Sequence, residues 1–429
     1  MPRIEINENE EISLAAFDAT ENCALIPMLY VRTVDSSGEL LEDSNIPGRK
    51  FTDAITLRNT YLAQGKVATV DGQYDRSYIM AYELLLQGMN VVIKPITYDN
   101  ATLGSSINSD EAYNIIDSAI AEGALEEFKN RNIYNIKFIT SGGYSNCGQS
   151  YIIDEEEGTT GVTNSYEQLR DLAVTRGDAI ALVELREAYS SEEELFDSIN
   201  NDFTVSGDND NFVSICFPWC DNYTTAISRT RTLITMPGSF QYLMAYANSV
   251  KANANWLAAS GVQRGEIPSF NAPKFEVGEA LMHILQGDSD SGLSLNICVN
   301  PVYNAGAYGY RIWGNRVANK PGVEDLRFLN FLNVRILLCD LKKQLYHSAM
   351  RITFEPNDDI VWVSYKTLNN PLLDKMKSGR GIKFYNWIKE TVTEKATLRA
   401  VLEIRPIEAL ENIEVNIVLT DEDASISVI

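Results

Sequence analysis

At 429 residues the chain exceeds one ordinary core, so two or three domains are expected. Hydrophobic residues make up 45% and charged residues 22%, as in folded proteins, and no window approaches ~18 uninterrupted apolar residues, so no membrane span or insertion is expected. The net charge of −23 falls almost wholly on residues 1–290, which argues against nucleic acid as a direct partner and reads as a solvated, solubilising surface.

The first residues, Met1-Pro2-Arg3-Ile4-Glu5-Ile6, lack the basic, apolar, small-residue order of a signal peptide, so maturation in a cytoplasm is expected. Residues 3–7 alternate, Ile4 and Ile6 against Arg3, Glu5 and Asn7, a half-buried strand pattern. Set off by the acidic Glu8-Asn9-Glu10-Glu11, that strand can pair at home or reach a neighbour. Residues 24–31 read as a buried strand and 33–50 as a polar surface loop. Helices are expected over 52–63, capped by Thr52 or Asp53, and over 78–87, stopped by Gly88. A buried strand closed by Pro95 follows at 89–95.

Beyond it come a helix around 112–130, a strand at 133–140, an exposed acidic loop at 154–158 and a helix over 166–176. An apolar strand at 178–185, a polar excursion over 190–210, a strand at 212–217 and a long helix over 239–256 complete this part. Helices alternating with buried strands predict an α/β layered fold. The last third opens on the glycine-rich aromatic run 306–316, followed by a helical pattern, Phe354-Glu355-Pro356-Asn357-Asp358 and a second helical pattern. Residues 371–383 form a basic patch on a short helix and turn. Alternating runs at 397–405 and 413–419, an acidic linker at 420–423 and the short run 425–429 close the chain. The division expected is an arm at 1–20, an acidic α/β part at 21–290, a C-terminal domain at 291–419 and a second arm at 420–429.

Candidate chemistry is sparse. Cys23, Cys147, Cys216, Cys220, Cys298 and Cys339 are scattered and only His283 and His347 accompany them, so buried reduced thiols are expected rather than a zinc site. Ser141-Gly142-Gly143 could cradle a phosphate, but it lacks the spacing and lysine of a P-loop and the third glycine of a dinucleotide site, so a plain turn is preferred. No serine elbow accompanies either histidine. Asp358-Asp359 and Asp208/Asp210 lack calcium-loop spacing and read as turn and cap residues. Neither a catalytic set nor a cofactor is expected.

Several stretches together resemble one family. They are the helix from Gly238 running into Asn255-Trp256-Leu257, Val299-Asn300-Pro301, Tyr310-Arg311-Ile312-Trp313-Gly314-Asn315-Arg316, Phe331-Leu332-Asn333-Val334-Arg335, Phe354-Glu355-Pro356-Asn357-Asp358 and Ile404-Arg405-Pro406-Ile407-Glu408-Ala409. In this order they are similar to the contractile tail sheath proteins of bacteriophages and related injection machines. The resemblance covers most of residues 75–419. It departs at Ile336, where the family usually has an arginine, and in 33–50 and 145–165, which have no counterpart.

The resemblance implies a structural subunit in the virion tail, assembled in the host cytoplasm. Its partners would be its own copies, as hexameric rings or a helical polymer, the tail tube protein, and baseplate and tail terminator proteins. It implies that a mixed sheet in the C-terminal domain is completed by terminal arms of neighbours. Here Arg3, Ile4, Glu5, Ile6 and Asn7, and Ser425, Ile426, Ser427, Val428 and Ile429, fit that use. It also implies a helix near 371–383 that faces the tube, with Lys375, Lys377, Arg380 and Lys383 as candidate contacts. A bacteriocin or secretion-type sheath is the near alternative, and an α/β enzyme or ligand-binding protein the remote one.

Overall fold

The computed structural model describes residues 18–32, 45–98, 106–154, 158–228, 230–287, 295–320, 328–390, 397–407 and 409. Its centre is a sheet of apolar strands with helices on both faces. Reading across, the strands are Tyr310–Ile312, Asn300–Asn304, Val213–Phe217, Ile180–Leu185, Phe138–Thr140, Cys23–Val31, Asn90–Tyr98 and Arg49–Phe51, with Asn146–Cys147 paired beside Ile180–Leu185. The inner pairings are parallel, and only the two edge strands run antiparallel.

Cys23–Val31 is buried along its whole length because its side chains alternate between two apolar layers. Cys23, Leu25 and Leu29 join the cluster holding Ile116, Leu169, Leu172, Leu195 and Leu281. Ala24, Ile26 and Met28 join the opposite cluster, with Leu57, Leu84, Leu243 and Ile336. The sandwich is therefore helix, sheet, helix, in keeping with the expected α/β class.

Local differences from the sequence expectations have physical causes. Asn90–Tyr98 runs through Pro95, since Arg49–Phe51 reaches only to Ile93 and leaves an edge where a missing N–H is tolerated. The helix expected around 112–130 stops at Ala121; Gly123, at φ +94, turns the chain into a short 3-10 segment, Glu126–Lys129. Of 133–140 only Phe138–Thr140 pairs as a strand. The polar excursion contains a helix, Glu192–Asp202, whose Ser191 side chain accepts from the Glu194 N–H at 3.2 Å and whose first turn carries three glutamates. The helix Gly238–Val250 lies so close to Val213–Phe217 that a Cβ at Gly238 would collide with the Cys216 carbonyl. All six cysteines are buried free thiols.

Asn300–Asn304 and Tyr310–Ile312 extend the sheet that residues 23–217 build, and Val302 and Ile312 share a core with Ala24 and Ile26. The sheet thus runs across the boundary expected at 291. A smaller core stands apart from it. There Trp256, Leu337, Leu341, Leu373, Met376 and Ile382 pack two long helices, Leu332–Ile352 and Asp359–Ser378, against a two-stranded ribbon, Ile382–Lys389 with Ala400–Pro406. The first of these helices reaches both cores, because its start carries Leu332 and Ile336 into the large one.

A buried ion pair, Lys137 Nζ to Asp340 Oδ1 at 2.8 Å, ties that helix to the sheet. Among the described residues no helix is long and apolar enough to cross a membrane.

Candidate functional site

At the switch point of the sheet, polar groups of the chain engage one another. In the strand order, Cys23–Val31 and Phe138–Thr140 flank the switch in winding direction, where a crevice ordinarily opens. Here Asp75, capping the helix Arg76–Leu86, accepts from the Leu29 N–H at 3.0 Å and the Tyr144 hydroxyl at 2.7 Å. A Cβ on Gly142 would fall 2.6 Å from the Ser77 Cβ. The Ser141-Gly142-Gly143 turn offers its N–H groups to its own serine: Ser141 Oγ accepts from Gly143, Tyr144 and Ser145 at 3.2, 3.0 and 2.9 Å.

Ser141 in turn donates to buried Glu184 at 2.9 Å, as do Thr140 at 2.9 Å and Ser239 at 2.5 Å. Burial raises the Glu184 and Asp75 pKa values, and the hydroxyl donors oppose the shift. Nearby Arg76 stacks on Tyr144, Trp219 and Tyr113, 4.5, 5.0 and 5.3 Å from their ring centres.

The remaining chemical candidates take structural posts. Asp358 caps the helix Asp359–Ser378, accepting from the N–H groups of Ile360 and Val361 at 2.9 and 3.0 Å. Asp359 meets Lys389 at 2.7 Å, and that hydrogen bond lowers its pKa. Asp210 accepts from the Ser206 N–H at 2.6 Å and pairs with Arg170 at 3.1 Å. His283 is exposed, and His347 is half-buried beside Tyr346. Among the described residues no three metal-ligating side chains gather.

The module of two helices and a ribbon has a different character. Its ribbon turns Tyr385, Trp387, Leu402 and Ile404 inward, with the Trp387 ring 6.0 Å from Trp362 and 5.7 Å from Tyr365. Phe384, Ile388 and Val401 stay exposed on its other face. Among the described residues each ribbon strand pairs only with the other, and neither outer edge meets a further strand.

The turn leading into the ribbon is fixed by Trp256. Its Nε1 donates to the Gly379 carbonyl at 2.9 Å, and a Cβ at Gly381 would fall 2.6 Å from its ring. Between those glycines Arg380 sits at φ +61. Lys375, Lys377, Arg380 and Lys383 are all exposed around this turn, so the structure gathers all four expected contact residues at one end of the module. The arms Arg3–Asn7 and Ser425–Ile429 lie outside the described residues, as does 413–419.

Of the residues that carried the family resemblance, Trp256, Asn300, Gly314, Asn315, Arg316 and Asn333 form the joint between sheet and module. Asn300 accepts from the Arg316 N–H at 2.7 Å and donates to its carbonyl at 2.8 Å, and a Cβ at Gly314 would lie 2.6 Å from Asn300 Oδ1. Asn315 donates to Asn333 Oδ1 at 2.8 Å, and Asn333 donates to the Trp256 carbonyl at 3.2 Å. Arg316 and Arg335 lie over the rings of Phe331 and Phe212, 4.7 and 4.3 Å from their centres.

Over nearly its whole length this architecture coincides with solved sheath structures. The sheath complex of the extracellular contractile injection system PVC, in its contracted state, aligns with a TM-score of 0.61 at 13% identity, covering 99% of this chain and 98% of that one. The contracted helical sheath of the anti-feeding prophage aligns at 0.57 and 12% identity, over 97% and 98% of the two chains. This is the contractile-sheath fold.

A chain from the contracted baseplate of the anti-feeding prophage shares the sheath fold too, at TM-score 0.60 and 14% identity over 98% and 99% of the two chains. In sequence, the tail sheath protein of Vibrio phage KVP40 is 23% identical over 197 residues, 44% of this chain. The match spans 27% of that relative's length. No family model matches the chain.

Proposed function

We propose that the chain is a structural, non-enzymatic subunit of a contractile tail sheath, which polymerises around a tail tube and shortens to drive the tube through a host envelope for genome delivery. The observation that carries this reading is the chain-long correspondence with contracted sheath structures, joined by the sequence match to a phage tail sheath protein. Its partners are further copies of itself, the tube protein, and baseplate and terminator proteins. It resides in the virion tail after assembly in the host cytoplasm, and it uses no cofactor.

The ribbon, whose outer edges meet no further strand among the described residues, supports strand addition by the arms Arg3–Asn7 and Ser425–Ile429 of neighbouring subunits. Each short arm contributes only a handful of backbone hydrogen bonds, at about 1 kcal/mol net apiece. Many arms held near their acceptors make a strong mesh through effective concentration. The exposed bases Lys375, Lys377, Arg380 and Lys383 face the tube, and shortening is a rigid-body rearrangement between subunits. A second reading, the sheath of an injection or bacteriocin-type machine that carries no genome, is favoured by the PVC and anti-feeding prophage matches.

Negative-stain microscopy of the purified chain, alone and with its tube protein, tests the common part. Rings or tubes are expected; a dispersed monomer under both conditions would overturn it. An image of the native particle, with or without a capsid, separates the two readings.

A further inference from the structure

The outer face of the helix Asp359–Ser378 is not that of an ordinary solvated helix. Its inner face buries Trp362, Asn369, Leu373 and Met376. On the opposite side, at spacings of three and four, Ile360, Val363, Ser364, Thr367 and Pro371 form an exposed, uncharged stripe about 16 Å long. Ile360 is 73% exposed and Val363 55%. The end of the preceding helix and the turn after it add Met350 and Phe354. Phe354 is fully exposed at φ +73, a left-handed conformation that a bulky side chain rarely takes. Strain and apolar exposure at one residue point to contact with something outside the fold.

Charge bounds the stripe at both ends, with opposite signs. Glu355, Asp358 and Asp359 stand exposed at its start, and Lys375, Lys377 and Arg380 at its finish. Asp374, the acid within the basic end, accepts from the Tyr385 hydroxyl at 2.7 Å. End charges of these signs also offset the helix dipole, but that leaves the apolar stripe between them without a role. A face that is acidic at one end, uncharged in the middle and basic at the other is complementary to itself turned end for end.

We propose that this face docks a second copy of the chain, the two helices Asp359–Ser378 lying antiparallel about a two-fold axis near Ser364 and Thr367. Ile360 of each copy packs beside the partner's Pro371. Phe354 and Glu355 reach the partner's Lys375 and Lys377, where ring and carboxylate both attract a cation. A face this short buries less than the ~800 Å² per partner of a standard interface, so the dimer is weak and sensitive to salt. It rests on this chain's own residues and not on the sheath reading. Under that reading the bases that meet the tube lie within the dimer, so dimer and tube exclude each other.

Sedimentation velocity of the chain, at concentrations below those that give rings or tubes, tests this. A monomer–dimer equilibrium is expected, its Kd rising about tenfold between about 0.05 and 0.5 M salt. Lys375→Glu with Lys377→Glu makes both ends acidic, and Glu355→Lys with Asp359→Lys makes both basic. Each variant alone should stay monomeric, and a mixture of the two should form the heterodimer, which also shows that both are folded. Cross-linking reads the same contact without touching a charge, since the natural cysteines are buried. Under mild oxidation Thr367→Cys, close to the axis, should give a disulfide-linked dimer, and Ile133→Cys, exposed elsewhere, should not. Monomer at every concentration, dimers of either charge variant alone, no heterodimer from the mixture, or equal cross-linking at both cysteines would overturn the proposal.

Discussion

Lys343 sits buried on the long helix with no hydrogen-bond partner for its Nζ among the described residues. Its surroundings contain a second ammonium, Lys137, and the carboxylate of Asp340 that Lys137 already engages. Burial first, and then the Lys137 charge, lower its pKa to about 8. An unfolded lysine titrates near ~10.4. Between those values the unfolded chain binds more protons, so stability rises as pH increases through that window. Below it the folded state carries the full penalty of the buried charge, about 3 kcal/mol. Lys343→Met, which keeps much of the length and removes the charge, should raise the urea midpoint at neutral pH. The gain should shrink when the titration is repeated near about pH 9.5. An equal gain at both pH values would assign the effect to packing instead.

At the scale of elements, the module's exposed lysines give the sharpest separation of roles. Lys375 and Lys377 end the helix Asp359–Ser378 and Lys383 lies at the start of the ribbon, while Arg380 alone of the four also lines a cleft with Trp313 and Asn315. Reversing the three lysines to glutamate and keeping Arg380 should abolish co-sedimentation with the tube. The fold should remain, since exposed substitutions cost only about 0.5 kcal/mol each. Retained tube binding would remove this face from the tube contact. Why these elements were only partly legible in the sequence follows from where their partners lie. Cys23–Val31 reads plainly because both its faces are buried, and Tyr166–Arg176 because Gly177 adopts the left-handed stop at φ +66. Glu192–Asp202 buries only Leu195, Ser198 and Ile199, so its one strong signal is the cap at Ser191. Ile382–Lys389 hides as a strand because only Tyr385 and Trp387 alternate inward, toward helix residues Trp362 and Tyr365 near in space and distant in sequence. The Asn300, Asn315 and Asn333 joint was visible as resemblance alone, since amide pairing across such separations has no local pattern.

For the whole molecule, charge and packing act together. In the proposed sheath, the work of shortening comes from the difference between two packings of subunits, and the glycine turn at Ser141 is filled by that serine's own hydroxyl. In that proposed sheath, more lateral and outer contacts in the short array supply the difference. Opposing them is the acidic first part of the chain, which carries exposed carboxylates such as Glu126, Glu193 and Asp197. At physiological salt their repulsion acts over about 8 Å, and at about 0.01 M over about 30 Å, enough to reach between neighbouring subunits. Crowding those surfaces together therefore becomes less favourable as salt is withdrawn, while the buried contacts that reward shortening hardly change. Purified sheaths equilibrated across that range should shift toward the longer form at low ionic strength, read from the length distribution in micrographs. A distribution indifferent to salt, or one that shortens as salt falls, would mean that the acidic region lies away from the surfaces that close.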